Sequence, residues 1–403
     1  MSVRGDAIVN PDTGERFRDG KRYLWLFSLI YPLLPSIFIG LAWSTGVLAW
    51  LWAMPFIYLV LVPVLDTAMG EDFTNPPEWA VQGLEQDGFY KWLVNLTVPC
   101  QYVTVVVGAW AVADAGFPWW GVLGMLLSVS YASGIAVNTG HELGHKKTRV
   151  ERWLAKFVLA VTAYGHFFIE HNKGHHRDVA TPEDPASSRM GENFWKFAYT
   201  REIPGAARRA WNLEKERLAR MGKSPFSLQN EVVQTTLITV VLYGGLTWAF
   251  GWVVLPFLLA QALLGGYMNL SLANYVEHYG LLRRKLPNGR YERCRPEHSW
   301  NTNHIMSNLL SYHLQRHSDH HAHPTRRYQA LRDFDGIPRL PSGYPTMFSL
   351  ALVPPLWRKV MDRRVLEHYG YDLNRVNVDP GKRDELFARY HRPRAEQGET
   401  APA

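Results

Sequence analysis

The sequence predicts an all-α integral membrane protein, with six transmembrane helices and a histidine-rich helical cap on one side of the bilayer. Two observations predict it. Long uncharged runs are joined alternately by very short turns and by long charged segments. In addition, the sixteen histidines are absent from the first three of these runs and cluster at the ends of later ones.

The uncharged runs are 23–43, 46–65, 92–113 and 117–140. Each is long enough to cross roughly 30 Å of bilayer hydrocarbon. A fifth run, 232–276, is long enough for two spans, and Phe250-Gly251-Trp252 is the natural break. The shorter run 157–169 reads as an interfacial or buried helix. Trp25, Trp92, Trp119, Trp120 and Trp252 near the run ends fit interfacial aromatic belts. The expected organisation is an N-terminal cytoplasmic segment (1–22), then a six-helix membrane region (23–276) with an inserted cytoplasmic segment (141–231). A C-terminal catalytic cap (277–390) follows, and then a polar tail or linker (391–403) of disordered composition.

Arg16, Arg18, Lys21 and Arg22 precede the first run, and the 146–231 and 277–403 segments are rich in Lys and Arg. The positive-inside rule therefore puts both termini and the cap in the cytoplasm. The polar start is too long and too charged for a cleavable signal peptide. The net charge of +7 thus reports membrane orientation, and no basic-aromatic platform for nucleic acid accompanies it. Cys100 and Cys294 are too few for a four-cysteine iron site or a disulfide framework.

The histidines fall into four groups. "HELGH" supplies His141 and His145, "EHNKGHH" supplies His171, His175 and His176, "NYVEHYG" supplies His278, and "LQRHSDHHAHP" supplies His317, His320 and His321. On a helix, residues three and four apart share a face, so each group is expected to aim its imidazoles in one direction. The topology brings all four groups to one depth on one side. Nine imidazoles exceed the three or four ligands of a zinc site, which asks for two metals. Imidazole suits Zn, Cu, Fe and Ni. His313 and His323 read as structural or outlying.

Read alone, HELGH is the H-E-x-x-H helix of zinc proteases. An intramembrane protease of that kind needs a third ligand, an Asp-Gly in a later span. The only candidate, Asp335-Gly336, lies in the polar C-terminal region, and seven boxed histidines would have no role. The soluble di-iron bundles pair two Glu-x-x-His motifs, and only one occurs among the boxes, at Glu142 and His145. A metal transporter would need charged groups within its spans, and the uncharged runs have none.

The boxes "NTGHELGHKK", "EHNKGHHRDVATPEDPASSRMGE", "NYVEHYGLLR" and "LQRHSDHHAHPTRRYQ", with the loop "GEDFTNPPE", resemble the integral-membrane histidine-box di-iron oxygenases and desaturases. Within these they are most similar to the bacterial alkane ω-hydroxylases, which implies a bacterial inner membrane with the cap on its cytoplasmic side. The resemblance runs from about Lys21 to about residue 390. It implies two non-haem Fe ions held by the nine histidines, O2 as co-substrate, and hydroxylation of the terminal methyl of a medium-chain n-alkane. It also implies that electrons come from rubredoxin, itself reduced by an NADH-dependent flavoprotein reductase. No flavin, NAD or haem is expected on this chain, which lacks a Gly-x-Gly-x-x-Gly motif and a cysteine quartet. The alternative within the family is an acyl-lipid hydroxylase or desaturase, whose second box is typically H-x-x-H-H.

Ligand histidines usually donate their second ring N–H to a carboxylate or carbonyl. Glu142, Glu170, Glu277 and Asp319, with Asp178 and Asp184, are the candidates for that role. Asn138 reads as a pocket group or an interfacial residue. Gly134, Gly265 and Gly266 leave room for a tunnel or for close helix packing. Trp52 and Tyr58 on the second span are the candidates to close such a tunnel.

Overall fold

The structure is a computed structural model that describes residues 3–4 and 7–392. Six helices are long and apolar enough to cross a membrane: Leu26–Thr45, Leu48–Met69, Gly88–Asp114, Trp119–Gly144, Glu231–Phe250 and Val254–His278, hereafter spans 1 to 6. Their hairpins turn where the sequence breaks. Gly46 (φ 72°) ends span 1 and Gly251 (φ 89°) ends span 5, a left-handed conformation that costs a residue without Cβ little. Asp87 accepts from the Phe89 N–H to start span 3, and Asn230 accepts from the Val232 and Val233 N–H groups to start span 5.

Span 4 is the centre of the bundle. Of its most apolar window 56% is buried, against 22% for spans 2 and 5, which face outward. Spans 4 and 6 run past the uncharged stretches, to Gly144 and His278. Both helices thereby lift their histidines clear of the apolar region on a rigid extension.

All long connections lie at one end and fold together as the cap. The inserted segment opens with a helix, Arg149–Ala160, capped by Thr148. The expected helix over 157–169 is instead broken after Ala160 and resumes at Phe167. The break packs tightly on span 5, since a Cβ on Gly165 would lie 2.2 Å from Thr235. Ala163 turns the chain at φ 52°. The C-terminal cap contributes Ile305–Leu310, His317–Ala322, Tyr344–Ala351 and Pro354–His368.

The GEDFTNPPE loop ties the bundle to this cap. Arg316 donates to the carbonyls of Asp72 (2.7 Å) and Thr74 (3.2 Å), and Asn75 and Asp333 exchange hydrogen bonds at 2.8 and 2.9 Å. Deeper, the Ser307 N–H donates to Asp66 at the end of span 2 (2.8 Å). A small antiparallel sheet, β1 (Val3–Arg4), β2 (Ala7–Val9) and β3 (Arg16–Arg18), was not expected from the sequence. It sets Ile8 opposite Phe17 and against Gly83 of the helix Glu78–Gln86. The tail expected at 391–403 falls, from residue 393, outside the described residues.

Candidate metal centre and adjoining cavity

The nine boxed histidines come together in two adjoining groups. His141, His145, His171, His176 and His320 form one, and His175, His278, His317 and His321 form the other. Within each, one ligand atom per residue lies within 4.8 Å of all the others. In the first box His141 and His145, four residues apart, stay together in one group, and the third box supplies the single ring of His278 to the other. The second and fourth boxes are split between the groups, against the expectation that each aims one way.

The cause is local. Residues His171–His175 form a π-helical turn, whose i→i+5 pattern widens the helix by one residue. That aligns His171 with His176, their Nε2 atoms 3.0 Å apart, and turns His175 toward the other group. On His317–Ala322 ordinary helical spacing keeps His317 with His321 (2.9 Å), and His320 points across to His141 (2.9 Å) and His176 (3.1 Å). Two adjacent pairs, His175–His176 and His320–His321, therefore join the two groups.

The donor set fits a pair of bound metals. Converging Nε2 atoms at 2.9–3.3 Å cannot all be satisfied by one another, since a neutral imidazole carries a single N–H. Among the described residues, Nε2 of His145 and His175 has no hydrogen-bond partner although buried. Burial first, and then the neighbouring imidazoles, hold His145, His171, His176, His317, His320 and His321 well below the usual histidine range. These rings are neutral at pH 7, the form that ligates a metal.

His175 is the exception. Burial works to lower it, but the charge of Asp184 and its hydrogen bond to Nδ1 (2.9 Å) outweigh this and raise it. Burial would raise Asp184 in turn, but His175 and the Ser187 hydroxyl hold it well below the usual range. The bond fixes the proton on Nδ1 and leaves Nε2 to face the group.

The other carboxylates sort differently. Glu277 reaches the four-histidine group: Oε2 lies 3.3 Å from His317 Nε2, and Oε1 accepts from the Tyr344 hydroxyl (2.6 Å). Glu142 contacts no boxed histidine, pairing with Lys146 (2.9 Å) and accepting from the Tyr328 N–H (3.3 Å). Glu170 lies 3.6 Å from Arg209, and burial and then Asp184 push it up to about 8. Asp319 lies 3.9 Å from the ring of His323 and accepts two bonds from Arg326 (2.9 and 2.7 Å) and one from the Arg332 N–H (3.0 Å), which anchors the fourth box from outside the two groups. Asp178 pairs with Arg177 and Arg209. His313 donates toward the Tyr328 carbonyl, and His323 is half exposed.

Against both groups lies an apolar cavity. Its far end is Tyr31, Tyr58 and Tyr131, and its near end is His141, His171, Glu277 and His317. Between them it is walled chiefly by apolar side chains such as Ile135, Val137, Leu270, Leu310 and Phe348. Tyr58, stacked on Tyr131 with ring centroids 4.5 Å apart, is among its lining residues. Trp52 is not among its lining residues and covers Gly124 instead. Gly134 borders the cavity, whereas Gly265 and Gly266 are close-packing positions against Ser130 and Thr162.

Three residues escape sequence reasoning. Tyr344 and Arg209 lie far along the chain from what they contact. Glu202, fully buried, accepts from Ser271 (2.5 Å), Asn274 (3.2 Å) and Tyr164 (3.2 Å), and burial pushes it up to about 7. It lies in a charged helix with no histidine nearby in sequence, so nothing local marks it.

Two all-histidine groups that could each hold a metal, at one end of a six-span bundle and facing an apolar cavity, define a membrane protein of the histidine-box type. Residues 117–351 match the sequence profile of the fatty acid desaturase family. The alkane 1-monooxygenase 1 of Alcanivorax borkumensis is 54% identical over 92% of this chain and 91% of its own length. The alkane 1-monooxygenase of Pseudomonas putida is 51% identical, over 94% of each chain. A xylene/toluene monooxygenase hydroxylase component from Pseudomonas putida is more distant, at 27% over 66% of this chain and 69% of its own. The chain belongs to the fatty acid desaturase family of membrane oxidoreductases, with the alkane 1-monooxygenases as its relatives there.

Proposed function

We propose that this protein hydroxylates the terminal methyl of medium-chain n-alkanes to 1-alkanols, using O2 and electrons from reduced rubredoxin. The observation that carries the reading is the apolar cavity ending on the two histidine groups, in a chain half identical to alkane 1-monooxygenases. The five- and four-histidine groups would each hold one iron, with Glu277 positioned to complete the second. When bound, the irons supply the reduction of O2 and the oxidising power that a terminal C–H bond demands.

The residues of the chain do the rest. The cavity takes the alkane from the bilayer, excludes water and presents one chain end to the histidines, while Tyr58 and Tyr131 limit how far the other end can reach. Asp184 holds His175 in its ligating tautomer. Among the five-histidine group only His176 is partly exposed, and the exposed Arg177 beside it suits an acidic carrier that must approach closely. The positive-inside rule favours a cap in the cytoplasm of the inner membrane, where such a carrier and its reductase work.

The test supplies octane, O2, NADH, rubredoxin and its reductase to the purified protein and follows 1-octanol by gas chromatography, with metal content measured alongside. About two irons per chain and 1-octanol are expected. Oxidation of an acyl lipid without 1-octanol would overturn the assignment.

A further inference from the structure

Asn138 sits on span 4 one turn before His141, is only 8% exposed, and lines the cavity. Neither its Oδ1 nor its Nδ2 has a hydrogen-bond partner among the described residues. At the far end of the cavity the Tyr31 hydroxyl is also without a partner among the described residues, but the amides, serines and carboxylate of the wall toward the histidines are engaged. Asn274 donates to Glu202, Asn269 to the Leu264 carbonyl, Glu277 accepts from Tyr344, and Ser307 and Ser311 bond to Gln315. An amide left unpaired in a buried apolar wall costs stability, and an alkane offers it nothing. A primary alcohol offers both halves of what it lacks, because one hydroxyl can donate to Oδ1 and accept from Nδ2.

We propose that Asn138 is a hydroxyl-binding residue, so that the cavity takes 1-alkanols as ligands in their own right and binds them more tightly than alkanes of the same length. The inference rests on the reading of the cavity as the alkane site. It follows that the product competes with the substrate for the cavity, and that the position of Asn138 sets the strength of that competition. A site built around a hydroxyl partner discriminates against the analogue that lacks it, because the buried partner is then left unpaired. One neutral hydrogen-bonding group is worth roughly threefold to tenfold in affinity.

The experiment measures equilibrium binding of octane, 1-octanol and 1-methoxyheptane to the full chain in lipid nanodiscs, corrected by uptake into protein-free discs. In the wild type, 1-octanol is expected to bind roughly tenfold more tightly than octane. The ether, which can only accept, falls between them. Asn138→Leu, similar in shape but without polar atoms, brings 1-octanol to the level of octane, and Asn138→Thr restores part of the difference. A wild-type preference for 1-octanol that Asn138→Leu leaves unchanged overturns the proposal. So does the absence of any preference in the wild type, a result that needs no variant. If octane does not bind the wild type while 1-octanol does, and Asn138→Leu abolishes it, the alkane reading fails and the Asn138 assignment stands.

Discussion

Replacing Asp184 by Asn should weaken one metal position and spare the other. Oδ2 of Asp184 accepts from His175 Nδ1 (2.9 Å) and from the Ser187 hydroxyl (2.6 Å), while Oδ1 accepts from the Ala186 N–H (3.2 Å) and Arg209 (3.4 Å). Every neighbour is a donor, so an amide NH2 has no place to go. Facing His175, it would force the imidazole proton onto Nε2, the atom that must ligate. Facing Ala186 and Arg209, it would oppose two donors in a fully buried setting. Losing such an orienting partner typically costs roughly 10- to 100-fold in metal affinity, or about 1.4–2.7 kcal/mol. His175 belongs to the four-histidine group alone. Under titration with a graded chelator, followed by elemental analysis, Asp184→Asn should therefore release one metal per chain at a chelator activity 10 to 100 times lower than wild type. The second metal should leave where it does in the wild type. Loss of both metals together, or of neither, would refute the assignment of Asp184 to a single site.

Further outcomes can be checked separately. Tyr58→Ser opens the far end of the cavity and should shift the product profile toward longer alkanols, as read by gas chromatography of a mixed-length alkane feed; an unchanged profile would sink its role as the stop. Tyr344→Phe strips a buried Glu277 oxygen of its 2.6 Å hydrogen bond, at a cost of about 1.5–3 kcal/mol for a charged acceptor. A lowered melting temperature in detergent is expected, and no change would mean Glu277 finds another donor. Burial raises Glu202 from 4.5 to about 7. The native state therefore holds a proton that the unfolded chain releases, and stability falls as pH rises through that window, by up to roughly 3 kcal/mol. Glu202→Gln removes the loss, so its melting temperature should exceed wild type more at pH 8 than at pH 5; a gain independent of pH would contradict the buried-carboxyl account.

Spans and boxes were legible because both depend on local pattern. Uncharged length marks spans 1 to 6 to within a few residues, and four clusters of histidine on one side leave little choice of neighbours. The partition of ligands was not legible. It turns on the π-helical turn at His171–His175, and the sequence "HNKGHH" fits that turn and an ordinary α-turn equally well. Carboxylate roles failed for a similar reason. Nearness in sequence selected Glu142 and Asp319, whose charges are satisfied by Lys146 and Arg326. Tyr344, which holds Glu277, comes from a segment 67 residues further along the chain. Trp52 and Tyr58 were indistinguishable as aromatics of one span, and only the placement of span 4 sends one to Gly124 and the other to the cavity.

The interleaving of boxes also sets a schedule for the ribosome. Until residue 317 has been made, the four-histidine group has only His175 and His278, and the five-histidine group lacks His320. A chain interrupted after its last span therefore carries a complete bundle but no complete centre. Both positions are finished by one short helix, His317–Ala322, made after all six spans. Both candidate metal positions can therefore be completed only in a chain whose six spans have all been made, and a copy cut short before residue 317 lacks both.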